Sequence, residues 1–174
     1  QRANKKLEAL NLDLNNRLVK DPLTGLVSRY QYRSEMQSVI NTAPQALGLF
    51  AFIDIDAFKQ INDTYGHAVG DEYLVGFAKR LASLPSQYPL IAMRIAGDEF
   101  GLYLHNIDHV DEEVFALLYH KFEQYVTDAP IFTAAGDLAV SCSVGFAVYN
   151  RDTVNLFELI EYADWAMYQA KRAG

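Results

Sequence analysis

Two apolar runs, "LIAMRI" at 90–95 and "EFGLYLH" at 99–105, are separated only by Ala96, Gly97 and Asp98. Each is too short for an ordinary helix and carries residues that strands favour. So short a link leaves one arrangement, a tight antiparallel hairpin. Its turn then holds Asp98 and Glu99, inside an otherwise apolar stretch. A carboxylate buried alone is costly and two side by side repel. Their place here has to be explained by something that binds them.

A second acidic pair closes another strand. The run "ALGLFAFIDI", 46–55, reads as a buried strand, and Asp54 and Asp56 stand at its end. If the two strands are neighbours, the acidic pairs converge at one sheet edge. Carboxylates from separate strands, meeting where backbone carbonyls are free, suit a hard cation. Magnesium takes few protein carboxylates and draws its other ligands from water and phosphates. One such pair alone reads as solvated turn acids; two are harder to explain that way.

The remaining pattern supplies the layers. "DPLTGL", 21–26, is a breaker cluster and so a loop. Ser28 is expected to cap a helix running to about Ile40. Helical segments are expected at 57–64 and 69–84, and an amphipathic one at 111–127 with Val114, Leu117, Leu118 and Phe122 on one face. "PIFTAAG" and "DLAVSCSVGFAVY" read as a hairpin turning at Gly136 and Asp137, before a last helix at 155–173. The fold class is α/β, with a mixed, mainly antiparallel sheet flanked by helices.

Residues 1–20 read as an N-terminal linker helix, with Leu7, Leu10 and Leu14 at seam spacing. The same pattern also fits a helix lying on its own domain. Residues 21–174 are expected to form the main domain, an excerpt of a longer signalling protein.

A chain of 174 residues with net charge -7 and 51% hydrophobic content is globular and lacks the basic footprint of a nucleic-acid binder. It carries no apolar run of membrane length, so no membrane contact is expected of this domain. The single Cys142 excludes an internal disulfide framework and sits where a small core residue belongs. A cytoplasmic location suits this composition, with any membrane anchor elsewhere in a full-length protein.

After Asp54 comes "DIDAFKQINDTYGHAVGDEYL". Lys59 is close enough in sequence to face the same phosphates. Asn62 and Asp71 match a base edge, because a carboxylate accepts from the N1–H and exocyclic amine of guanine. Gly66 and Gly70 are read as sharp turns.

"DPLTGL", "FIDIDAFKQINDTYGHAVGDEYL", "RIAGDEF", "SVGFA" and "ADWAMYQAK" follow one another at a spacing that resembles the GGDEF family of diguanylate cyclases. The resemblance covers about residues 21–174. It implies a fold like the palm of nucleotidyl cyclases and polymerases. It implies condensation of two GTP into cyclic di-GMP and two pyrophosphates, by a transient homodimer holding one GTP per copy. By resemblance, Asp54, the carbonyl of Ile55 and Asp98 hold Mg²⁺ or Mn²⁺, and Asp98 is the base for the 3′-hydroxyl. Lys59 stabilises phosphate charge, and Glu99 supports the metal or the hairpin. Asn62 and Asp71 read guanine, with Phe58 and His67 on the substrate side. Lys171 contacts the terminal phosphates, and Ala96 and Gly97 let the nucleotide lie against the backbone. The family implies an upstream sensory domain and, in some members, a downstream EAL phosphodiesterase domain.

Three departures matter. Ala96 stands where the signature has its first glycine. "QYPL", 87–90, offers neither the Arg nor the Asp of the family's inhibitory site. The chain ends at Gly174, where a further phosphate-binding Arg is expected. Ala96 keeps one alternative in view, a degenerate GTP-binding domain regulating an adjacent EAL domain; the retained Asp54, Lys59, Asn62, Asp71 and Asp98 argue against another, a purely structural dimerisation module. His105, His109 and His120 read as surface groups, and Trp165 and Tyr168 as core.

Overall fold

The structure, a computed structural model, describes residues 3–7 and 19–173. Its elements are α1 (Tyr32–Thr42), β1 (Leu47–Ile55), α2 (Phe58–Tyr65), α3 (His67–Ala82), β2 (Leu90–Ala96) and β3 (Glu99–Ile107). They continue with α4 (Glu112–Phe122), a π-helical turn (Glu123–Thr127), β4 (Ile131–Thr133), β5 (Gly136–Leu138), β6 (Cys142–Tyr149) and α5 (Leu156–Ala173). The main sheet has the order β2-β3-β1-β6, and all its strand pairs are antiparallel. Helices cover both faces, so the expected α/β class holds.

β1 is central and nearly all buried, which explains its unbroken apolar run. The two-residue side-chain period divides it between two cores. Leu49, Ala51, Ile53 and Ile55 meet Tyr73, Leu74, Phe77 and Leu81 of α3. Phe50 and Phe52 meet Met36 of α1 and Leu159, Ala163 and Met167 of α5. In α5 the buried positions 156, 159, 160, 163 and 167 fall on one helical face. Asp54 shares the parity of Phe50 and Phe52, so it emerges on the α1/α5 side.

Gly145 in "SVGFA" lets α5 lie directly on β6. A Cβ there would sit 2.1 Å from both the Ala163 carbonyl oxygen and the Met167 nitrogen. Any side chain would push α5, and Lys171 with it, off the sheet.

Several expectations need correction. The second hairpin turns at Ala134 and Ala135, not at Gly136 and Asp137, and β5 stops at Leu138. The single strand expected over 137–149 is thus two strands in two sheets. Ser28 is not the cap of α1. Gln31 occupies that position without a side-chain bond, and the Ser28 carbonyl accepts from Gln31 and Tyr32. Leu117 is exposed, while Phe115, Leu118 and Phe122 face the protein. Residues 3–7 are helical with Leu7 exposed, and Leu10 and Leu14 lie outside the described residues. Among the described residues, no helix is long and apolar enough to cross a membrane.

Candidate active site

The hairpin and β1 do converge. Asp54 pairs with Glu99 across the sheet, and the Ile55 N–H donates to the Asp98 carbonyl at 3.0 Å. Three carboxylates therefore meet at one sheet edge. α5 brings them a cation: the Lys171 ammonium donates to Asp54 Oδ2. Asp54 Oδ1 is buried and has no hydrogen-bond partner among the described residues.

The electrostatics show how crowded this edge is. Burial pushes the Asp54 carboxyl above its ordinary range; the bond from Lys171 opposes this, and the Asp98 charge adds to it. Burial also raises Glu99, reinforced by Asp54, Asp164 and Asp98, with Lys171 pulling the other way. The site is short of positive charge.

That shortage makes a stability prediction. Ionised Glu99 destabilises the metal-free fold, so Glu99→Gln should stabilise it. After solvent screening we expect about 0.5–1 kcal/mol, or roughly 1–4 °C in Tm. The sign follows from a raised carboxyl pKa: the penalty appears as pH rises through that value. The advantage of Gln should therefore be largest at neutral pH and vanish where both states are protonated. Thermal melts in chelator across a pH series test it. A Gln variant that melts lower at neutral pH contradicts it.

Asp56 does not join the cluster. Its two oxygens accept from Ser143 Oγ at 2.8 Å and Ser141 Oγ at 2.7 Å. This grip turns the chain off β1 through Ala57, which adopts a left-handed conformation at φ 56. A non-glycine residue there costs of order 1–2 kcal/mol. The turn starts α2 and sets Phe58 and Lys59 in its first turn.

Gly70 is buried inside α3 rather than at a turn, and Asn62 packs against it. A Cβ on Gly70 would lie 1.9 Å from Asn62 Oδ1 and 3.3 Å from Phe58 Cζ. The missing side chain lets the Asn62 amide lie against α3 one residue before Asp71. Gly66, at φ 92, makes the turn between the two helices. Lys59, His67 and Asp71 are exposed, and none makes a side-chain hydrogen bond or ion pair among the described residues.

Ala96 pairs with Glu99 as the last residue of β2, and the loop is only Gly97 and Asp98. Among described non-glycine residues only Ala57, Asn106 and Asn150 have positive φ. Ala96 therefore carries no left-handed strain. A Cβ on Gly97 would meet nothing within 4 Å, so the turn borders open space.

Arg94 had no sequence signal beyond its place in a strand. Its guanidinium donates to the Gly97 carbonyl at 2.9 and 3.2 Å and to Asp21 at 3.1 and 3.2 Å. It ties the carboxylate-bearing turn to the "DPLTGL" loop, where Thr24 also donates to Asp21. Burial alone would raise the Asp21 carboxyl, but the bonds from Thr24 and Arg94 hold it below its ordinary range. Ser141, Ser143 and Arg94 are thus positioning residues that pattern alone misses.

The other polar groups are as follows. His109 and His120 are exposed, as expected, but His105 is half-buried and stacked on Tyr103 at 5.9 Å. Burial pushes the Cys142 thiol up to about 12. Trp165 and Tyr168 are not core: they are 64% and 48% exposed.

Among the described residues, no three or more His, Cys, Asp or Glu side chains are grouped to hold a metal ion by themselves. The orphaned Asp54 oxygen, the excess of carboxylates and the ammonium already drawn to Asp54 nevertheless fit a divalent cation completed by phosphates and water.

The sequence model described as "Diguanylate cyclase, GGDEF domain" matches residues 18–174. The chain is 34% identical to diguanylate cyclase DgcN of Escherichia coli over 175 residues, covering 95% of this chain and 40% of DgcN. It is also 34% identical to the bifunctional diguanylate cyclase/cyclic di-GMP phosphodiesterase MucR of Pseudomonas aeruginosa, covering 97% of this chain and 24% of MucR. The chain thus spans less than half the length of these two relatives. Among solved structures, the GGDEF domain of DgcB from Caulobacter crescentus, in complex with c-di-GMP, superposes with a TM-score of 0.77 at 28% identity. That match covers 90% of this chain and 91% of the other.

Proposed function

This chain belongs to the GGDEF family of diguanylate cyclase domains, and from that premise we propose that it condenses two GTP into cyclic di-GMP and two pyrophosphates, one GTP being held by each copy of a transient dimer. The observation that carries this reading is the meeting of Asp54, Asp98 and Glu99 with Lys171 at one sheet edge. Phosphoryl transfer needs positioning and charge neutralisation, and little else from the protein.

Asp54, Asp98 and the Ile55 carbonyl would hold Mg²⁺ or Mn²⁺. When bound, such a cation neutralises phosphate charge and favours the ionised 3′-hydroxyl. Asp98 takes the proton of that hydroxyl. Lys59 and Lys171 neutralise the phosphates, and Lys171 leaves Asp54 to do so. Asn62 and Asp71 orient guanine, with Phe58 and His67 beside it. Glu99 holds the hairpin pairing to Asp54. An upstream sensory domain and a downstream EAL domain belong to the same proposal; the relative MucR is named as bifunctional, a diguanylate cyclase and a cyclic di-GMP phosphodiesterase.

Ala96 is the observation that favours the alternative, a GTP-binding domain without turnover. It weighs less than the sequence implies, because the backbone there is unstrained. Only the room taken by one methyl remains. A penalty of about 1.4 kcal/mol felt in the transition state is tenfold in rate. We expect Ala96→Gly to leave activity unchanged or raise it by up to about tenfold. Purified chain incubated with GTP and Mg²⁺, with product read by chromatography, tests both statements. If the wild type binds GTP yet makes no cyclic di-GMP even when its dimer is enforced, the regulatory reading replaces the cyclase.

A further inference from the structure

The exposed face of α5 is built like half of an interface. Phe157, Glu161, Trp165, Tyr168 and Arg172 recur at spacings of four, four, three and four, so they form one stripe opposite the buried face. Phe157 is 64% exposed, like Trp165. Trp165 and Tyr168 stack on each other with centroids 6.1 Å apart, and the Arg172 guanidinium lies 5.9 Å from the Tyr168 ring. Solvent-exposed stacked aromatics flanked by arginine are what interface centres use and free surfaces avoid.

The order of charges along the stripe identifies its occupant. Glu161 lies one turn before the aromatic pair and Arg172 one turn after it. Neither is in a salt bridge among the described residues. An antiparallel copy of the same helix, centred between Trp165 and Tyr168, sets Trp165 against Tyr168 of the second copy. It also sets Glu161 against Arg172 of the second copy, twice by symmetry. That is the self-complementarity an isologous interface requires. We propose that this stripe is a homodimer interface, in which a second copy of the chain covers Trp165 and Tyr168 and pairs Glu161 with Arg172. The inference goes beyond the reaction proposed above and shares with it only that the partner is a second copy.

The test needs no nucleotide, so it fails or succeeds independently of the cyclase reading. Trp165 is the only tryptophan in the 174 residues, so its emission reports this surface alone. Analytical ultracentrifugation of the 174-residue chain should show a monomer–dimer equilibrium, with Trp165 emission shifting to the blue as concentration rises. Trp165→Glu should weaken the dimer at least about thirtyfold, with circular dichroism unchanged. Glu161→Arg and Arg172→Glu should each weaken it, and the double variant should restore it. A wild type that stays monomeric overturns the proposal, including one whose Trp165 emission is already blue because its own N-terminal segment covers the stripe. A dimer that survives Trp165→Glu overturns it too, as does a charge-swapped double variant that stays monomeric.

Discussion

Asp98→Ala should abolish cyclic di-GMP formation, with a loss of at least about a thousandfold. Removing a single neutral donor to a developing charge costs about 10²–10³ in rate. Asp98 is charged and is proposed both to ligate the cation and to accept the hydroxyl proton. The fold should not suffer. The hairpin is held by main-chain pairing and by the Asp98 carbonyl accepting from Ile55, both of which alanine keeps. Arg94 still grips Gly97. The mutation also removes a charge that pushes Asp54 and Glu99 upward, so metal-free thermal stability should hold or rise. GTP should still bind through Asn62 and Asp71. Product formation, thermal melting and GTP binding are read on one preparation. Retention of activity within about tenfold of wild type would move the base and the ligand elsewhere.

The central architecture was legible because it rests on signals carried within each segment. β1 reads as a buried strand since both its faces are covered. The β2–β3 hairpin reads itself, since only Gly97 and Asp98 separate its strands. Signals that depend on a third element were not legible. β5 and β6 form one alternating stretch in sequence; the break between them exists because β4 captures only Gly136–Leu138 while β1 captures Cys142–Tyr149. Trp165 looks like core because aromatics usually are, and nothing local says that α5 already has enough buried residues on its other side. At the site, the carboxylates stand out by being unexpected in apolar strands. Their supports do not. Ser141 and Ser143 reach Asp56 across more than eighty residues of chain, and Arg94 reaches Asp21 across more than seventy. Gly70 is informative only once Asn62 is seen lying against it.

Base selectivity should rest on Asp71 and Asn62. The wild type should bind GTP in strong preference to ATP, and Asp71→Ala should weaken GTP about 10–150-fold, the worth of hydrogen bonds to a charged group. A carboxylate accepts from the N1–H and exocyclic amine of guanine, while adenine offers an acceptor at N1 and would leave the carboxylate facing a lone pair. Asn62 is held against α3 by the absence of a side chain at Gly70, and Phe58 and Tyr73 close the space behind it with rings 6.3 Å apart. Asp71 itself is exposed on α3, so alanine there disturbs no packing and helix propensity does not fall. A loss of affinity in Asp71→Ala is therefore a loss of recognition. ATP binding should hold or tighten with the same substitution, because adenine makes no bond to that carboxylate and loses a facing charge. Direct calorimetric titration of both nucleotides into wild type and variant, with a divalent cation present, separates the outcomes. Equal affinity of the wild type for ATP and GTP, or equal weakening of both in Asp71→Ala, would remove Asp71 from base recognition.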